Sequence, residues 1–176
     1  MIELTGTLKE RLDEAIRLSY TDVTEEELEH FRSVYAKAKI ELLPSALEFY
    51  KRYGGVFRDY HLVLNKPEYN HDIYLAFYTD SQYKEENIYR MLDGVMDSDF
   101  IDRVKAVAKQ KVCPVAQIGY YYPADVYIGE NGLLYCLYEF KEEIEVFHTP
   151  SEILESYLKN NNPVGIEKRD IEIHYD

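Results

Sequence analysis

The dipeptide Asn131-Gly132 stands between two apolar runs, Val126-Tyr127-Ile128 before it and Leu133-Leu134-Tyr135 after it. Asn-Gly reaches positive φ at little steric cost, so this reads as a tight turn joining two antiparallel strands. The surrounding sequence extends the pattern. Residues 115–121 and 125–129 read as strands broken at Pro123, and 133–140 and 143–147 continue the sheet. Two earlier segments, 56–64 and 72–79, read as a first hairpin joined by the turn-like stretch 65–71.

Helical periodicity frames these strands. Thr7 and Glu10 have the spacing of a capping box, and Leu8, Leu12, Ala15 and Ile16 form an apolar stripe behind them. Thr24 and Glu27 open a second helix, with Leu28, Phe31, Val34, Tyr35 and Ala38 at steps of three and four. Pro44 suits the first turn of a third helix, which Tyr53-Gly54-Gly55 ends with a left-handed cap. Further helices are expected at 82–92 and 98–109, the latter with Phe100, Ile101, Val104, Val107 and Ala108 inward. Thr149, Pro150 and Glu152 open a final helix to Lys159 with a third capping box. The tail, residues 165–176, alternates enough for an edge strand, the alternative being a loose tail. This order predicts an α+β domain over residues 1–176, with a mixed, mainly antiparallel sheet and helices packed mostly on one side.

Charge then narrows the partners. Lys plus Arg is 20 against 33 for Asp plus Glu, a net −13. Such a field repels nucleic-acid backbones and anionic lipid, and it speeds encounter with a basic protein. No apolar run reaches the roughly 18 residues of a membrane span. Met1-Ile2-Glu3-Leu4-Thr5 has no signal-peptide character, and Cys113 and Cys136 read as buried free thiols, so a cytoplasmic location is expected.

Sequence signatures of catalysis are missing. There is no Gly-x-Ser-x-Gly, no Cys-x-x-Cys and no His pair at helical zinc spacing. His61 and His71 could meet across the first hairpin, but surface histidines are the simpler reading. No cofactor is expected.

Three stretches together resemble the SUKH superfamily. They are Leu43-Pro44-Ser45-Ala46-Leu47-Glu48-Phe49-Tyr50 leading to Tyr53-Gly54-Gly55, then Cys113-Pro114-Val115-Ala116-Gln117-Ile118-Gly119, then the hairpin from Val126 to Tyr135 with the helix Thr149-Pro150-Ser151-Glu152-Ile153-Leu154 after it. The resemblance spans roughly residues 24–160. Many relatives carry tryptophan; this chain has none. It implies an α+β fold, and a role such as many bacterial members have, that of immunity proteins against polymorphic toxins, often nucleases. The alternative is a regulatory or scaffold module that binds another protein.

The chain has 18 tyrosines. Tyrosine joins a large apolar body to a polar tip, which suits binding faces and half-buried strands alike. The segment Tyr120-Tyr121-Tyr122-Pro123-Ala124-Asp125-Val126-Tyr127 combines aromatics with a carboxylate, and Tyr78, Asp80, Glu130, Tyr135, Tyr138 and Glu139 fall on neighbouring strands and turns. Two readings fit. One is a tyrosine-rich core whose hydroxyls reach the rim. The other is a partner-binding face made by Tyr78, Asp80, Tyr120, Tyr122, Asp125, Tyr127, Glu130, Tyr138 and Glu139, suited to a basic toxin domain.

Overall fold

Helices α1 (Leu8–Ser19) and α2 (Glu25–Lys37) start where the capping boxes predict. Thr7 Oγ1 accepts from the Glu10 N–H while Glu10 Oε2 accepts from the Thr7 N–H, and Thr24 and Glu27 repeat the exchange. Such caps each contribute about 1 kcal/mol. Helix α3 (Pro44–Tyr53) carries Pro44 at its first position. Helices α4 (Glu85–Val95), α5 (Ser98–Ala108) and α6 (Pro150–Tyr157) complete the set. The third capping box is only half made. Thr149 Oγ1 accepts from the Glu152 N–H, but the Glu152 carboxylate takes the N–H of His148, not that of Thr149.

The structure is a computed structural model that describes residues 1–66, 73–80, 84–120, 122–158 and 161–169, with the backbone alone for 73, 74 and 120. Its strands are β1 (Ile2–Glu3), β2 (Tyr60–Leu64), β3 (Ile73–Phe77), β4 (Val112–Tyr120), β5 (Ala124–Gly129), β6 (Leu134–Leu137), β7 (Glu145–Phe147) and β8 (Pro163–Lys168). The class is α+β, as expected. The strands form two sheets, a three-stranded one in the order β1-β8-β2 and a five-stranded one in the order β3-β4-β5-β6-β7. Every pairing among the described strands is antiparallel, so the expected parallel component of a mixed sheet is not seen there. The anticipated first hairpin does not form: β2 and β3 lie in different sheets. The tail strand β8 is the centre of the smaller sheet, not an edge.

The Asn131-Gly132 turn is a three-residue loop closed by Gly132 at φ +79, with the Gly129 N–H donating to Leu133 O and the Gly132 N–H to Gly129 O. On β4, the register jumps between Pro114 and Ala116, leaving Val115 as an extra residue. A proline lacks the N–H a sheet interior needs, and a bulge is where a strand tolerates one. The Pro114 carbonyl takes the Tyr35 hydroxyl, which ties α2 to the strand.

Helices lie on both faces of the larger sheet. Pairing places Phe77, Ala116, Val126 and Cys136 on one face. There Phe77 meets Tyr50 and Phe49 of α3, and Tyr50 stacks on Phe31 of α2 at 4.2 Å. The opposite face carries Gln117, Asp125, Tyr127 and Tyr135. On that side the Tyr127 hydroxyl donates to the Val95 carbonyl at the end of α4. One buried apolar cluster joins Leu62, Leu64 and Ile166 of the small sheet to Phe77 and Val126 of the large one.

Gly54 and Gly55 do not form the expected left-handed cap. Gly54 has φ −61, and the positive φ falls three residues later, at Phe57. The need for glycine at 55 is close approach: a Cβ there would lie 1.6 Å from the Thr21 carbonyl oxygen. The same contact includes a hydrogen bond from the Thr21 N–H to Gly55 O at 3.0 Å. Gly55→Ala should therefore cost about 3 kcal/mol or more, because backbone rather than a yielding side chain blocks the methyl. Denaturant unfolding measures it; a change within about 0.5 kcal/mol would contradict the packing described.

Candidate functional site

A groove of about 640 Å³ opens on the face of the larger sheet that bears Asp125. One wall is the α4–α5 pair, through Met91, Val95 and Phe100, with Arg90 and Arg103 beside them. The floor is sheet: Gln117 of β4, Asp125 of β5 and Leu137 of β6. The other wall is Tyr122 and Pro123 with the segment from Tyr138 to Glu142. Arg103 closes one end by donating to the Glu142 carbonyl at 2.6 Å, which ties helix to segment.

The polar floor is organised around one oxygen. Asp125 Oδ1 accepts from the Tyr78 hydroxyl at 2.8 Å and from Gln117 Nε2 at 3.0 Å. Burial pushes the Asp125 carboxyl above its ordinary range, although both donors pull it down. Tyr78 is buried, and burial together with the neighbouring carboxylate holds its hydroxyl far from ionisation.

Five of the nine expected partner-binding residues meet here: Tyr78, Tyr122, Asp125, Tyr138 and Glu139. They play different parts. Tyr122 is 56% exposed and meets Phe140, itself 57% exposed, edge to face at 6.3 Å. Glu139 is exposed on the rim. Tyr138 is buried, with its ring against Phe140 and against Tyr157 of α6.

Three of the others do not join the face, and the fourth, Tyr120, is described by its backbone alone. Tyr127 is fully buried beneath α4 and cannot touch a partner. Glu130 is exposed in the hairpin loop, at the far end of β5 from Asp125. Tyr120 ends β4 opposite Ile73, and its side chain lies outside the description. Asp80 turns toward a different polar cluster. It accepts from the Phe77 N–H at 3.2 Å and lies near Arg58, Glu27 and Arg169, where burial lifts its carboxyl to about 7. Arg58 and Glu27 are themselves paired at 2.8 Å. Of the two readings of the tyrosines, the core claims Tyr78, Tyr127 and Tyr138, and the surface claims Tyr122.

Sequence reasoning missed much of the helical wall and Phe140. Phe100 and Val107 were assigned to the inward stripe of α5, yet both are exposed while Ile101 and Val104 are buried. They sit on the flank of a stripe wider than the contact it makes. The strand expected over 133–140 is shorter: β6 ends at Leu137, and Phe140 turns out to solvent.

Cys113 and Cys136 are free and buried, and burial pushes the Cys113 thiol up to about 12. His71 lies outside the described residues, so its pairing with His61 does too. Among the described residues no group of three or more His, Cys, Asp and Glu side chains is placed to hold a metal, and no helix is long and apolar enough to cross a membrane. No family model matches the sequence, and neither a curated protein nor a solved structure does.

Asp80 gives a stability prediction with a defined sign. Its folded-state pKa, about 7, lies above the ordinary value of 3.8, so the folded protein holds a proton that the unfolded chain releases. Stability should therefore fall as pH rises from about 4 through about 7. Asp80→Asn keeps an acceptor for Phe77 and removes the titration. Its unfolding free energy should vary less over that window than the wild type's; parallel curves would contradict the placement of Asp80.

Proposed function

We propose that the protein is a non-catalytic binding module that docks a basic protein across the α4–α5 groove, as an immunity protein docks its toxin. The observation that carries this reading is where the exposed apolar side chains gather. Phe100, Tyr122 and Phe140 line the groove. Val107 continues along α5, and Val146 pairs with Tyr135 on the same sheet face. Isolated exposed apolar residues need no explanation, but a row of them beside a groove marks an interaction surface.

Charge supports a basic partner in a specific way. The groove lining itself is balanced, with Arg90, Arg103 and Lys141 against Asp125, Glu139 and Glu142. Exposed carboxylates flank it: Asp93, Asp97, Asp99 and Asp102 lie on α4, α5 and their junction, beside the exposed Lys105 of α5, and Glu143 follows Glu142 on the opposite wall. An acidic surround speeds encounter, while a desolvated apolar centre slows dissociation. A basic nuclease domain fits this arrangement, because the acidic surround would stand in for the nucleic-acid backbone. The order of elements behind the SUKH resemblance supports the immunity reading further: the proline-led α3, strand β4, the β5–β6 hairpin and the closing α6 occur in sequence.

Co-expression with a toxin domain encoded by a neighbouring gene tests the proposal. Growth should be rescued and a complex should form at micromolar concentration; failure of both would reject it. Within that complex, Tyr122→Ala and Phe140→Ala should each weaken affinity by about tenfold or more, as truncation of an aromatic anchor does. Tyr20→Ala, at an exposed tyrosine that bonds the Lys51 carbonyl instead, should leave affinity unchanged.

A further inference from the structure

We infer that the groove is a recognition pocket for an arginine side chain, with Asp125 Oδ2 as its acceptor and the Tyr122–Phe140 aromatic wall as its entrance. The inference rests on the docking reading above and names what enters the groove.

The argument starts from the unequal use of the Asp125 carboxylate. Both intramolecular donors, Tyr78 and Gln117, are spent on Oδ1. Oδ2 has no hydrogen bond or ion pair among the described residues, and Asp125 lines the groove. Asp125 Oδ2 is not among the buried side-chain atoms that lack a partner, so it keeps contact with solvent, and a guanidinium that donates to it exchanges that water for a charge-assisted hydrogen bond.

The cations that line the groove are engaged elsewhere. Arg103 is committed to the Glu142 carbonyl, Arg90 to the Asn87 side chain, and Lys141 to Glu145. Lys141 does show what the wall attracts, because its ammonium lies 4.6 Å from the Tyr138 ring centre and 5.7 Å from that of Phe140. Aromatic faces favour cations, and a guanidinium more than an ammonium, because it is planar, stacks, and is less strongly hydrated. Phe100 and Leu137 also line the groove, and the hydrocarbon stem of a long cationic side chain suits such an apolar lining. The fixed Tyr78 and Gln117 bonds hold the carboxylate in place, so little ordering remains to be done on binding.

The test uses the isolated full chain and a probe. The probe is the capped peptide Gly-Gly-Arg-Gly-Gly, with a citrulline peptide as the uncharged isostere. Binding is followed by the NMR shift of the Gln117 side-chain amide. The arginine peptide should shift this signal saturably. The citrulline peptide should bind about tenfold or more weakly, since a charge-assisted bond is lost. Asp125→Asn should reduce arginine-peptide affinity by a similar factor, and binding to the wild type should weaken as pH falls and Asp125 takes up a proton. Equal shifts from both peptides would overturn the inference, and that comparison needs no variant to fold. An unchanged Gln117 signal at saturating peptide would overturn it too. If a protein partner docks through Tyr122 and Phe140 but binds Asp125→Asn with wild-type affinity, the arginine pocket is wrong and the docking face stands.

Discussion

Strand β5 sits at the centre of the five-stranded sheet, and its requirement for cover on both faces shapes the rest of the molecule. Its residues from Ala124 to Gly129 are buried throughout, except for Asp125, which is half-buried. A strand apolar on both faces must lie between two layers. Helix α3 and its neighbours supply one through Phe49 and Tyr50, and α4 and α5 supply the other. The second layer is incomplete. It covers Tyr127, whose hydroxyl caps the carbonyl of Val95, but stops before Asp125 one pleat away. The groove is that shortfall, which is why a carboxylate lies at its floor and apolar side chains at its walls.

This origin separates two roles that net charge alone runs together. On the proposed reading, the −13 charge would act at a distance and favour a basic partner. The groove, locally balanced in charge, would act at contact. Its grip would come from Phe100, Tyr122 and Phe140, and the Asp125 floor would discriminate between side chains. The Asp80 cluster with Arg58, Glu27 and Arg169 belongs to neither role. It lies where the end of β3 comes near Glu27 of α2 and Arg169 after β8, and its chemistry concerns stability.

Much of the local structure was legible in the sequence. Thr7–Glu10 and Thr24–Glu27 announce their helices because a capping box is complete within four residues. The Asn131-Gly132 loop is equally local. What depends on distant partners was not legible. Nothing within β8 says that it lies between β1 and β2, or that β2 would pair with it and not with β3. The site shows the same limit. Alternation separates Asp125 and Tyr127 from Val126 on β5, but only the placement of α4 decides that Tyr127 is sealed. Gly55 was legible as a necessary glycine for the wrong reason, since the Thr21 backbone that excludes a side chain lies far away in sequence.

The central claim is that the partner covers the incomplete layer over β5. Amide hydrogen exchange of the complex measures that most directly, since it maps protection segment by segment across the whole chain. The account predicts slowed exchange in α4, α5 and the segment from Leu137 to Glu142, with the β1-β8-β2 sheet and α1 unchanged. Protection confined to that smaller sheet and α1, with the groove exchanging as in the free protein, would contradict it.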